Sequence, residues 1–143
     1  MTTNLRVRSS EFIDETVRIS FEFNGKTYYG FKGDTLASAL IANNIHLVGR
    51  SFKYHRPRGI MTAGSEEPNA IVQVNDKSNR TEPNVRATEL EIYEGLEASS
   101  QNCWPSVNFD IGGINNVISA FLPAGFYYKT FMWPASFWEK YEF

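Results

Sequence analysis

Two neighbouring stretches carry residue types able to do chemistry. The first is Gly49-Arg50-Ser51-Phe52-Lys53-Tyr54-His55-Arg56-Pro57-Arg58-Gly59-Ile60. Arg50, Lys53, Arg56 and Arg58 are fixed cations, His55 is a titratable one, and two rings are interleaved among them. Guanidinium forks hold phosphate or carboxylate through paired hydrogen bonds, so these five residues are a candidate site for an anion or a cofactor phosphate. Cations at this density cannot be buried without partners. The aromatic, Pro and Gly content argues for an ordered loop over a disordered basic tail. Two readings stay open: the cations face a ligand or partner, or they pair with carboxylates of this same chain.

The second stretch is Met61-Thr62-Ala63-Gly64-Ser65-Glu66-Glu67-Pro68-Asn69-Ala70. Glu66-Glu67 could meet a hard cation, but adjacent carboxylates with no Asp or Asn ligand pattern favour a solvated turn. Elsewhere the chemistry thins out. His46 follows an apolar helix and reads as a packing histidine, with no Cys at metal-ligand spacing from it or from His55. Cys103, beside Trp104, has no adjacent cation or His and reads as a small buried thiol. Gly112-Gly113 does not make a Gly-x-Gly-x-x-Gly dinucleotide fingerprint.

The elements that position these loops follow from periodicity. Val17, Ile19, Phe21 and Phe23 alternate with Arg18, Ser20 and Glu22, a strand with one dry face. Asn24-Gly25 is a two-residue turn signal, and Thr27 to Phe31 is the returning strand. Gly33 ends the hairpin. Asp34 is expected to cap a helix from Thr35 to about Asn43, with Leu36 and Leu40 one turn apart. Ile71–Val74 reads as a strand, Asn75–Asn79 as a polar turn, and Glu89–Tyr93 as a further strand. Hairpin, helix, irregular loop and short strands in this order predict an α+β fold, a β-grasp in which one helix covers a mixed sheet. Residues 1–15 read as an amino-terminal arm, 16–98 as the β-grasp domain, and 99–143 as a helical, aromatic-rich extension leading towards a further domain.

In that extension a helix is expected over Asp110–Phe121, and ten aromatic residues follow between Phe121 and Phe143. Each buried ring removes roughly 150–250 Å² from water, more surface than a one-helix domain can match. The tail is therefore expected to dock on another subunit or on more of the same polypeptide, of which these 143 residues would be a piece. The net charge of -2 argues against nucleic-acid or membrane-surface binding. The single cysteine excludes a disulfide framework and a Cys-ligated metal centre within the chain. No secretory h-region or bilayer-length apolar run is visible, and the expected compartment is the cytoplasm.

A β-grasp with an irregular loop after its helix is the layout of plant-type [2Fe–2S] ferredoxins, whose loop carries Cys-x4-Cys-x2-Cys with a fourth Cys further on. That spacing falls on Thr62, Glu67 and Ala70, with Thr88 about where the fourth belongs, so the predicted domain is ferredoxin-like but lacks the cluster cysteines. Ser51-Phe52-Lys53-Tyr54-His55-Arg56-Pro57-Arg58-Gly59-Ile60 resembles the signature of the amino-terminal ferredoxin-like domain in a family of amine-oxidising subunits. That family includes the alpha subunit of heterotetrameric sarcosine oxidase and related subunits of hydrogen cyanide synthase and opine oxidases. The loop from Met61 to Ala70 is similar to the cysteine-free, sarcosine oxidase branch, as are Pro83–Thr88, Gln101–Ser106 and Phe131–Pro134. The resemblance implies a complex that demethylates sarcosine to glycine with tetrahydrofolate and oxygen, giving methylenetetrahydrofolate and hydrogen peroxide. It implies FAD, covalent FMN, NAD and tetrahydrofolate elsewhere in that complex, and no catalytic residue, cofactor or metal in these residues. The partners implied are the rest of the alpha subunit and the other subunits, reached through the aromatic tail. The competing readings are a stand-alone β-grasp interaction module with an anion-binding basic loop and, more remotely, a single-stranded nucleic-acid binder.

Overall fold

The structure of the chain is a computed structural model that describes residues 12–75 and 80–117. Strand β1 (Asp14–Phe23) and β2 (Lys26–Lys32) form the antiparallel hairpin that the Asn-Gly turn predicts. Asn24 and Gly25 both have positive φ, 53° and 74°, as a tight hairpin turn requires. Helix α1 (Leu36–Ala42) follows. Next come β3 (Gly49–Arg50) and β4 (Pro57–Arg58), β5 (Ile71–Asn75), β6 (Thr81–Arg86) and β7 (Leu96–Ser100). The main sheet has the order β2-β1-β7-β5-β6, and β3 and β4 pair separately. Strand β7 runs parallel to β1 and antiparallel to β5, so the sheet is mixed. With one helix packed on it, this is the ferredoxin-like β-grasp architecture.

Phe21 and Phe23 of β1, Leu36, Ala37, Ala39 and Leu40 of α1, and Val72, Ile92, Leu96 and Ala98 form the core between helix and sheet. Gly30 is buried there because a Cβ would collide with Ile92 Cδ1 and press on Ala39 Cβ at 3.2 Å. Val17 departs from the expected dry face and is exposed. The β1–β2 register shifts between Asp14 and Arg18, and β7 covers only Phe21 to Phe23 of β1, so the start of the strand outruns the core.

The helix cap also differs from expectation. Thr35, not Asp34, is the N-cap, and its side chain accepts from the Ser38 amide at 3.2 Å. Asp34 is buried one position earlier, where its carboxylate accepts from the Phe31 amide and the Ser38 hydroxyl, each at 2.8 Å. It closes the hairpin onto the helix.

No strand forms over Glu89–Tyr93. The carbonyls of Ala87 and Leu90 instead accept from the amides of Ala37 and Leu36, and Ile92 donates to the Asp34 carbonyl. The segment's backbone is spent on the open end of α1, which leaves only an isolated bridge between Thr35 and Glu91. The strands beside β5 are β6 and β7. Strand β6 is largely exposed and carries Pro83, compatible with its edge position. Of the helix expected over Asp110–Phe121, a 3₁₀ turn (Ile111–Gly113) and the short α2 (Ile114–Val117) are seen. The remainder, the aromatic run Phe121–Phe143 and most of the polar turn Asn75–Asn79 lie outside the described residues.

Candidate functional site

The basic loop is a tight ribbon. Gly49 pairs with Arg58 and Arg50 with Pro57. The tip is closed by Ser51 and Arg56, and His55 is held at φ 53° with its amide on the Ser51 carbonyl. This geometry sends the cations in two directions.

Arg50 and His55 turn inward. Arg50 Nε donates to the Val107 carbonyl and Nη1 to the His55 carbonyl, both at 2.8 Å. Arg50 Nε also lies 3.6 Å from Asp110 Oδ2, and His55 Nδ1 meets that same oxygen at 2.7 Å. The other oxygen of Asp110 accepts from the amides of Trp104 and Gly112. Burial pushes the Asp110 carboxyl up, but the Trp104 amide, His55 and the Gly112 amide outweigh it and hold the group below the ordinary carboxylate range. Gly112 is required here, because a Cβ on it would strike the His55 ring. For Arg50 and His55 the internal-carboxylate reading describes the geometry, and the pairing locks the ribbon onto the segment 104–113.

Lys53, Arg56 and Arg58 do not reach Asp110. Lys53 Nζ and Arg56 Cζ lie 5.2 and 4.8 Å from the centre of the Tyr54 ring. Arg58 Nη1 donates to Asn69 Oδ1 at 2.6 Å, at a recess of about 330 Å³ lined by Arg50, Ser51, Arg58, Asn69 and Asn102 among others. Arg56 and Arg58 are exposed.

The loop after the ribbon is organised around Glu67. Its side chain is fully buried, not the solvated turn expected. One carboxylate oxygen accepts from the amides of Met61 and Thr62 at 2.7 and 2.6 Å and from the Thr62 hydroxyl at 3.2 Å. The other accepts from the amides of Asn69 and Ala70 at 2.7 and 3.2 Å. Burial alone would raise this carboxyl, yet the Thr62, Asn69, Met61 and Ala70 amides lower it from 4.5 to about 2. Thr88 is buried beside the loop, with its hydroxyl donating to the Gly64 carbonyl at 2.6 Å, and the Ala87 amide donates to the Ala70 carbonyl. The positions on which the ferredoxin spacing falls, Thr62, Glu67, Ala70 and Thr88, thus converge on one loop.

Those residues do not fit a [2Fe–2S] cluster, which needs thiolates at its ligand positions or a His pair on one iron. The chain has one cysteine, and it lies elsewhere. Cys103 borders a different groove, with Phe23, Tyr28 and Val107. It is half-buried, and burial followed by the Asp110 charge pushes its thiol up. His46 is exposed and not a packing residue, with Nε2 on Asn44 Oδ1 at 2.9 Å. Among the described residues no group of three or more His, Cys, Asp or Glu side chains could hold a metal ion. Nor is any helix among them long and apolar enough to cross a membrane.

Sequence reasoning missed Glu67, Asp110 and Gly112 as organising residues. Asp110 lies 55 residues from His55, and no local pattern announces the pairing. For Glu67 the one signal was its spacing: it is the one acid among the four positions on which the ferredoxin spacing falls.

Comparison with known proteins agrees with this architecture. Residues 16–103 match the family described as a 2Fe-2S iron-sulfur cluster binding domain. The chain is 61% identical over 138 residues to sarcosine oxidase subunit alpha from Rhizobium meliloti (strain 1021), covering 96% of this chain and 14% of that protein. It is 36% identical over 100 residues to sarcosine oxidase subunit alpha from Corynebacterium sp. (strain U-96), covering 68% of this chain and 10% of that one. Among solved structures, L-proline dehydrogenase from P. horikoshii is similar with a TM-score of 0.48 at 21% identity, over 62% of this chain and 16% of that one. The resemblance read from Ser51 to Ile60, to the ferredoxin-like domain of sarcosine oxidase alpha subunits, is borne out.

Proposed function

Because the chain belongs to the family of 2Fe-2S iron-sulfur cluster binding domains, we propose that it is a ferredoxin-like domain which no longer carries a cluster and serves as a non-catalytic packing domain of a sarcosine oxidase alpha subunit. The assembly would oxidise sarcosine to glycine, passing the one-carbon unit to tetrahydrofolate as methylenetetrahydrofolate and two electrons to oxygen as hydrogen peroxide. FAD, FMN, NAD and tetrahydrofolate would be bound outside these residues, in the rest of the alpha subunit and its partner subunits. The working compartment would be the cytoplasm.

One observation supports this reading: the residues on which the ferredoxin ligand spacing falls, Thr62, Glu67, Ala70 and Thr88, lie on or against one loop, with no thiol among them. A domain whose scaffold persists without the redox group's ligands is retained for its surfaces. The exposed Arg56 and Arg58 would face a partner carboxylate or cofactor phosphate, while Arg50 and His55 fix the ribbon that presents them.

Two measurements on the full-length complex test this. Iron and acid-labile sulfide should be far below one cluster per alpha subunit while flavin is retained; a stoichiometric cluster ligated by this domain overturns the reading. Replacing Arg56 and Arg58 together with Ser should lower flavin or NAD content or loosen subunit assembly. Unchanged content and assembly would remove the basic ribbon from the interface.

A further inference from the structure

The loop from Met61 to Ala70 has the construction of an anion site with its occupant supplied from within. Four backbone amides and one hydroxyl converge on a single carboxylate. Successive amides turned to one point make a concavity that binds anions. An iron–sulfur cluster held by thiolates is such an anion, and its sulfurs accept hydrogen bonds from the loop around it. The loop here keeps donors of that kind, and their acceptor is the side chain at the second ligand position.

We propose that the Glu67 carboxylate is a permanent internal anion that takes the place of the cluster, and that the loop without it is a binding site for a small carboxylate. Glu67 has the reach to serve two amide pairs on opposite sides of the loop, Met61–Thr62 and Asn69–Ala70. Its burial is paid by those donors and not by a cation, since no salt bridge to it is formed among the described residues. Thr88, at the fourth position, donates to the Gly64 carbonyl and ties the loop to the domain where a thiolate would otherwise reach inward. The inference needs only the family and the loop, so it stands or falls apart from the sarcosine oxidase reading.

The test is hydrogen exchange in the full-length protein with Glu67→Gly. The loop peptide spanning 61–70 should exchange at least about tenfold faster, because its charge-assisted bonds are gone. Acetate should restore protection. Acetamide, which has the shape without the charge, should not, nor should pivalate, which has the charge but is too bulky for the space vacated. Equal effects of the three, or no acceleration in the variant, overturn the proposal. If the glycine variant does not accumulate, Glu67→Gln decides. Its amide group can accept at one pair only, so either Met61–Thr62 or Asn69–Ala70 should lose protection, and wild-type exchange at both pairs refutes the idea.

Discussion

Glu67→Gln should cost stability in a way that depends on pH, and the dependence can be worked from the loop. The wild-type carboxyl is held at about 2 against an ordinary 4.5. A difference of about 2.5 pK units corresponds to about 3 kcal/mol of folding free energy at neutral pH. That figure is an upper bound, because Met61 and Thr62, which cover the carboxylate, are themselves exposed. The sign follows from the depressed value. Stability is fully present above the unfolded pKa and is lost as pH falls from about 4.5 towards 2. Gln cannot ionise, so the wild-type advantage over Glu67→Gln should be flat from pH 7 to about 5. By pH 3 roughly three-fifths of it should have gone. The assay is denaturant unfolding of both proteins at pH 7, 5 and 3, taking the difference in unfolding free energy at each. A difference that is constant down to pH 3, or that grows as pH falls, would refute the assignment of Glu67 as an ionised, amide-bound carboxylate.

Other substitutions probe the rest of the frame. Gly112→Ala should displace the His55 ring from Asp110 and cost about 1–3 kcal/mol; an unchanged melting temperature together with an unchanged His55 ring NMR environment would contradict the packing. Gly30→Ala forces a methyl group into Ile92 and Ala39 and should likewise cost about 1–3 kcal/mol, read as a lowered unfolding midpoint. Cys103, with its thiol raised by burial and by Asp110, should react with iodoacetamide more slowly at pH 8 than an unhindered thiol such as glutathione. Equal or faster alkylation would mean that its surroundings are not as described.

The parts of the fold that were readable share one property: their cause is local. The alternation from Ile19 to Phe23, the Asn24-Gly25 turn and the Leu36–Leu40 spacing each encode structure within a few residues. The misreadings arose where distant groups decide. Leu90, Ile92 and Tyr93 look like strand residues, but the Leu90 carbonyl belongs to α1. Leu96–Ser100 becomes a central strand because β1 and β5 flank it, although Glu97, Ser99 and Ser100 look like loop composition. The candidate site divides the same way. The basic ribbon was visible as a cluster of cations, but its division into inward Arg50 and His55 and outward Arg56 and Arg58 depends on Asp110. Glu67 resembled a surface acid because nothing in Glu66-Glu67-Pro68 shows that four amides will surround it.

The seven-residue α1 is too short to persist alone in water, and its leading amides are completed by carbonyls some fifty positions downstream. On the ribosome, the β1–β2 hairpin can close as soon as it emerges, whereas the helix must wait for Leu90. Until then Leu36, Leu40 and the phenyl rings of β1 have no lid, so the nascent domain carries its greasiest surface through most of its own synthesis. Stalling translation before residue 90 should leave a chain that chaperones grip, and release a few dozen codons later should free it.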